Sequence, residues 1–326
     1  YCRDLAGQAG NRAKLVSCHQ NLTMMTRPRP QKKAASMQIA FHIGANCTDE
    51  DRLLKSILRN ASALLQQGIA VPGPGKYRAL LRETIQGLDG AAPAKDSREI
   101  LLDAFVEEDD IKRIVLTNDN FIAIPKRVFD HGVFYHQTET KVRGLCRLFP
   151  DDDVSFYFSI RNPVSYLQDI AKRAEAANLR DYLGLLQPHE IKWSDVIKRI
   201  KRAAPHAKLY VWCNEDTPLI WEDLIRLQSG IALDTPLSGQ YDVLSRIIST
   251  EGMQTLEAIE MPENRIARHN MIADLIEVFP LLEMMNETID LPELSPELIA
   301  AMSAGYEDDI DVIDQMEGVE LVLPFR

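Results

Sequence analysis

The stretch MQIAFHI–GANCTDED, residues 37–51, decides the fold. Met37 to Ile43 is a nearly unbroken apolar run, the pattern of a strand covered on both faces. Gly44 ends it. Leu53, Leu54, Ile57, Leu58, Ala61, Leu64 and Leu65 then recur at helical spacing. Thr48 or Asp49 stands where a helix cap belongs, and Gly68 where a helix stops. Strand, glycine turn and helix in that order leave backbone N–H groups at the positive end of a helix, a common phosphate seat.

Downstream the alternation continues. RIVLT (113–117), VSFYFSI (154–160) and KLYVWC (208–213) are further strand candidates, and VELVL (319–323) a last one. Helical patterns cover 77–88, 97–107, 138–148, 164–178, 193–204 and about 217–229. Residues 70–76 read as a loop, and 239–316 as mostly helical with breaks near Pro262, Pro292 and Pro296. Strands alternating with helices predict an α/β protein, a three-layer P-loop-like parallel sheet flanked by helices, with a helical C-terminal portion.

Residues 1–36 lack either periodicity and hold seven Lys/Arg against one acid. They are expected to be a disordered basic extension or a gene start placed too far upstream. Residues 37–326 are expected to form one α/β domain. That body carries 30 basic and 47 acidic residues, a balance that repels nucleic acid and anionic lipid. No apolar run is long enough to cross a membrane. The cysteines at 2, 18, 47, 146 and 213 show no paired spacing, so free thiols and a cytoplasmic setting are expected.

The candidate strand ends carry the chemistry. They are Gly44-Ala45-Asn46-Cys47-Thr48, Leu116-Thr117-Asn118-Asp119-Asn120-Phe121, Arg161-Asn162-Pro163 and Trp212-Cys213-Asn214-Glu215-Asp216. In this order and rough spacing they resemble the motifs of bacterial members of the PAPS-dependent sulfotransferase-like family, over residues 37 to about 230. PAPS is 3′-phosphoadenosine 5′-phosphosulfate. The resemblance implies sulfuryl transfer from PAPS to a hydroxyl or amine acceptor, such as a glycan. It places the 5′-phosphosulfate on Gly44, Ala45, Asn46, Cys47 and Thr48, and the 3′-phosphate on Arg161. Asp119 would be the catalytic base.

Two departures mark the phosphate-binding loop as degenerate. The family's loop lysine falls on Asn46, followed by Asp49, Glu50 and Asp51. The serine that shares the 3′-phosphate, eight residues after the arginine, is Asp169 here. Like charges about 4–5 Å apart repel by roughly 3–4 kcal/mol at an effective dielectric near 20. The alternative is therefore a catalytically inactive binding or assembly module on the same fold. Arg161 can equally pair with Asp169 or Asp119.

Other candidates have plainer readings. His42 reads as a packed strand residue, His131 and His136 as loop residues, and Asp151-Asp152-Asp153 as a solvated turn. The FPLLEMM stretch (279–285) is expected in a core or, if exposed, on a homodimer surface or an acceptor groove. No metal is expected.

Overall fold

The computed structural model describes residues 36–285 and 288–326. The expected basic extension lies, apart from Ser36, outside the described residues. Six strands form one parallel sheet: β1 (Gln38–His42), β2 (Ile69–Ala70), β3 (Arg113–Thr117), β4 (Asp153–Ile160), β5 (Lys208–Cys213) and β6 (Val319–Leu321). Their spatial order is β2-β3-β1-β4-β5-β6. The register sets Phe41 beside Leu116 and Phe156, and His42 beside Thr117 and Tyr157.

The helices are α1 (Arg52–Leu58), α2 (Ala61–Gln66), α3 (Pro74–Leu88), α4 (Ser97–Phe105), α5 (Thr138–Leu148), α6 (Pro163–Arg173) and α7 (Leu179–Leu183). They continue with α8 (Trp193–Ala203), α9 (Thr217–Ser229), α10 (Thr250–Ala258), α11 (Arg265–Val278), α12 (Leu282–Met285) and α13 (Pro296–Asp314). None among the described residues is long and apolar enough to cross a membrane.

Side chains alternate across the pleat, so one sequence of strands serves two cores. Ile39, Phe41, Leu116, Phe156, Phe158 and Val211 pack under α3, α5, α6 and α8. Ala40, Val115, Tyr157 and Trp212 pack on the other face under α1 and α9, against Leu53, Ile57, Ile220 and Leu224. Each such buried side chain contributes roughly 1.5–3 kcal/mol of transfer free energy. Leu244, Ile248, Leu256, Ile272 and Leu275 form a third, smaller cluster within the helical C-terminal portion.

Three local readings change. The helix expected through Leu65 is broken at Arg59-Asn60, where the Asn60 side chain bonds Ser56 O and Ser238 O at 2.9 Å each. The stretch read as a loop at 70–76 holds the end of β2 and the start of α3. Asp152 is not solvated: its side chain is fully buried, bonded to Arg98 through both oxygens at 2.6 Å and to the Met37 N–H at 2.9 Å. It ties the entries of β1 and β4 to α4.

Candidate functional site

The chain order reverses around β1, which lies between β3 and β4. The helix after β1 packs on one face of the sheet and the helix after β4 on the other. Where two such connections diverge, open α/β sheets form a ligand crevice beyond the strand ends. Here that position is lined by the turn at 43–51 and by Arg161. The two connections are stitched at their root. The Ile43 N–H donates to Tyr157 O at 3.0 Å, Ser159 N–H to Gly44 O at 2.8 Å and Ala45 N–H to Ser159 O at 3.0 Å. Gly44 has φ 127°, and a Cβ there would stand 3.4 Å from Asp119 O. Only glycine suits that conformation.

Asn46 is fully buried. Its Nδ2 donates to Asp119 O and Asn120 Oδ1, both at 3.1 Å. Its Oδ1 accepts from the Tyr135 hydroxyl at 2.7 Å, and its backbone N–H donates to that same oxygen at 3.0 Å. Tyr166 OH donates to Tyr135 OH at 3.0 Å. The position that the sequence resemblance matched to a lysine is thus a neutral amide locked into a tyrosine pair. Sequence reading did not single out Tyr135 or Tyr166. Tyr135 reaches Asn46 from 89 residues away, and no spacing signals that.

The cations of the crevice face acids of the same chain. Arg161 Nη1 lies 2.6 Å from Asp169 Oδ2 and donates to Cys47 O at 2.8 Å. Its carbonyl accepts from the buried Trp193 indole N–H at 2.7 Å, which fixes the backbone. Asp119 pairs with Arg173 rather than Arg161, at 2.7 Å, and also accepts from Asn120 Nδ2 at 2.8 Å. Arg78 clamps Asp51 through two bonds of 2.5 and 3.0 Å. Arg52 reaches Glu50 at 2.7 Å.

The start of α1 is capped from within. Arg52 N–H donates to Asp49 O at 2.9 Å, and Leu53 N–H to the Asp49 carboxylate at 3.2 Å. Thr48 turns its hydroxyl back to Ala45 O at 2.8 Å. Asp49 therefore caps as expected, although Asp51 holds the first cap position with φ 63°. Cys47 (φ 60°) and Glu50 (φ 51°) also adopt left-handed backbone, which L side chains enter at a cost of about 1–2 kcal/mol each. The N–H groups of Cys47 and Asp49 meet no acceptor among the described residues. Burial pushes the Cys47 thiol up to about 11, against the pull of Arg173. Burial also raises the Asp49 carboxyl above the usual carboxylate range.

The remaining candidates fall around this edge. His42 is buried against Trp212, with ring centroids 5.5 Å apart. Glu215 reaches across to the Asn162 N–H at 2.8 Å and accepts from Tyr306 OH at 3.1 Å. Burial, then Glu215 and Glu307, raise the neighbouring Asp216 to about 6. His131 and His136 are both exposed, with ring centroids 4.9 Å apart and planes tilted by 57°. No group of three or more His, Cys, Asp or Glu among the described residues can hold a metal ion.

No family model matches the chain, and no curated protein matches it. Among solved structures the chain is similar to a sulfotransferase from Alicyclobacillus acidocaldarius. Identity is 14%, the match covers 78% of this chain and 98% of that one, and the TM-score is 0.37. The reading of this strand edge rests on its own geometry: a neutral amide–phenol network at Asn46, and arginines paired with carboxylates.

Proposed function

We propose that this chain keeps a sulfotransferase-like α/β frame but uses it as a binding or assembly module, with the PAPS seat filled by its own side chains. The observation that carries this reading is the 2.6 Å pair between Arg161 and Asp169. The arginine that would hold a 3′-phosphate holds a carboxylate instead. Asn46 cannot supply the missing charge, and its amide is already spent on Asp119, Asn120 and Tyr135. Losing a lysine contact removes a charge-assisted bond worth roughly 1.5–3 kcal/mol. The four motif segments converge on one sheet edge, which supports descent from a nucleotide-using frame.

A second reading is sulfuryl transfer from PAPS to a hydroxyl or amine acceptor, such as one on a glycan. It is favoured by the N–H groups of Cys47 and Asp49, which meet no acceptor among the described residues. In that reading Asp119 must leave Arg173 to act as base. The free thiols of Cys47, Cys146 and Cys213 suit the reducing setting of either reading.

Incubation of the full chain with labelled PAPS and a panel of sugar and amine acceptors tests the proposal. It expects no transferred label. Transfer that disappears in Arg161→Ala contradicts it.

A further inference from the structure

His131 and His136 lie five residues apart in the segment between β3 and α5, and its turns bring their rings together. His131, Gly132 and Tyr135 take φ of 60°, 64° and 52°, which folds the segment back on itself. Gly132 N–H donates to Phe129 O at 3.0 Å, Val133 N–H to Asp130 O at 3.2 Å and Tyr135 N–H to Val128 O at 2.6 Å. The backbone under the pair is fixed from within. Phe134 and Tyr135 are buried, and Phe134 meets Trp193 edge-on with ring centroids 4.8 Å apart. The Phe134 carbonyl accepts from Arg199 Nη2 at 2.5 Å.

The two imidazoles themselves are exposed, and their nitrogens bond no described residue. Their centroids stand 4.9 Å apart with planes tilted by 57°, neither a stack nor a perpendicular edge contact. Two imidazoles on one metal ion, with metal–nitrogen bonds of about 2.0–2.1 Å, have centroids about 4.5 Å apart for a right-angled donor pair and about 5.2 Å apart for a tetrahedral one. The observed separation falls between these limits. The neighbouring acids are already engaged: Asp130 pairs with Arg127 at 3.8 Å, and Glu139 with Arg143 at 2.5 Å. Nitrogen donors without a carboxylate select late first-row cations over magnesium or calcium.

We infer that His131 and His136 form a two-imidazole site for a late first-row divalent cation such as Zn²⁺ or Ni²⁺. Two protein nitrogens hold the ion and water completes its shell, since no third His, Cys, Asp or Glu among the described residues joins them. Such a site leaves coordination positions open to a further ligand. Tyr135, which precedes His136, holds Asn46 through its hydroxyl, so an ion bound here braces that network from outside. The inference stands whether or not the strand edge at Asn46 takes a nucleotide.

The test is calorimetric titration of the full chain with zinc chloride and with nickel chloride, and with magnesium chloride as the control. The variants are His136→Ala and His131→Asn, the second chosen because asparagine tolerates left-handed backbone. Both positions are exposed, and an unchanged thermal melt confirms each fold. The expected result is saturable binding of Zn²⁺ or Ni²⁺ by the native chain, at least about tenfold weaker in each variant, with no saturable heat from magnesium. Absent binding of both transition ions overturns the inference. So does binding as tight in either variant as in the native chain, because the ion then sits elsewhere, and so does equal binding of magnesium.

Discussion

Asp169 stands eight residues after Arg161, and its carboxylate oxygen lies 2.6 Å from the guanidinium, at the point where the sheet offers its crevice. The arginine leaves the end of β4, and the aspartate sits about two turns into α6. The arginine therefore lies along the start of the helix. A phosphate entering here meets a cation already matched by an anion. At an effective dielectric near 20, a second anion about 4–5 Å from Asp169 is opposed by roughly 3–4 kcal/mol.

The Asn46–Tyr135 bonds are expected to hold the strained turn in place. Tyr135→Phe removes the oxygen that meets both the amide and the backbone N–H of Asn46. Each buried group left unsatisfied costs about 1–3 kcal/mol, so a loss of about 2–4 kcal/mol is expected in urea unfolding. Tyr166→Phe, which deletes one donated bond, should cost about 1 kcal/mol. The reverse order would refute this assignment.

Asp152→Ala leaves the Arg98 guanidinium, whose side chain is 9% exposed, with the longer 3.6 Å contact to the exposed Glu99. Breaking a buried pair on one side costs about 3–5 kcal/mol. In a double-mutant cycle, adding Arg98→Met is expected to restore part of that loss. Additive losses would mean that the pair is not coupled.

Asp216 gives the fold a pH dependence of defined sign. Its carboxyl is raised from 3.8 to about 6, so the folded state binds the proton more tightly than the unfolded chain. Stability contributed by this group is present below about pH 4 and falls as pH rises through about 6. Asp216→Asn should therefore stabilise the protein at pH 7.5 and have little effect at pH 4. Melting temperatures of both proteins across that range check the sign.

The sheet was legible because its strands are covered on both faces and read as continuous apolar runs. β3, β5, α5 and α9 fall where the pattern puts them. The break at Arg59-Asn60 is invisible to periodicity, since Ala61, Leu64 and Leu65 continue the helical spacing. The helix expected to residue 178 stops at Arg173 because Glu175 takes φ 56°, a conformational choice with no compositional trace. At the site, Arg161 and Asn46 could be placed at strand ends from segment order, and the family resemblance pointed to Asn46 and Asp169. The partner of Asp119 could not: Arg173 reaches it from the end of α6, and the sequence offered Arg161 equally. Asp152 looked solvated because it sits in a run of three aspartates, and only tertiary packing sends one of them inward.

Cys47 should be a poor nucleophile despite its place before a helix. With its thiol raised from 9.0 to about 11, the thiolate is about 100-fold scarcer at pH 7.5 than in an unperturbed cysteine. Iodoacetamide labelling followed by peptide mass spectrometry should show correspondingly slow modification of Cys47 in the native chain and fast modification in urea. Rapid native labelling would contradict this environment.

The most direct measurement is calorimetric titration of the full chain with 3′-phosphoadenosine 5′-phosphate. The native protein is predicted to give no saturable heat at millimolar nucleotide, and Asp169→Ser to gain measurable affinity because Arg161 loses its carboxylate. Saturable binding by the native chain that is lost in Arg161→Ala would contradict the account.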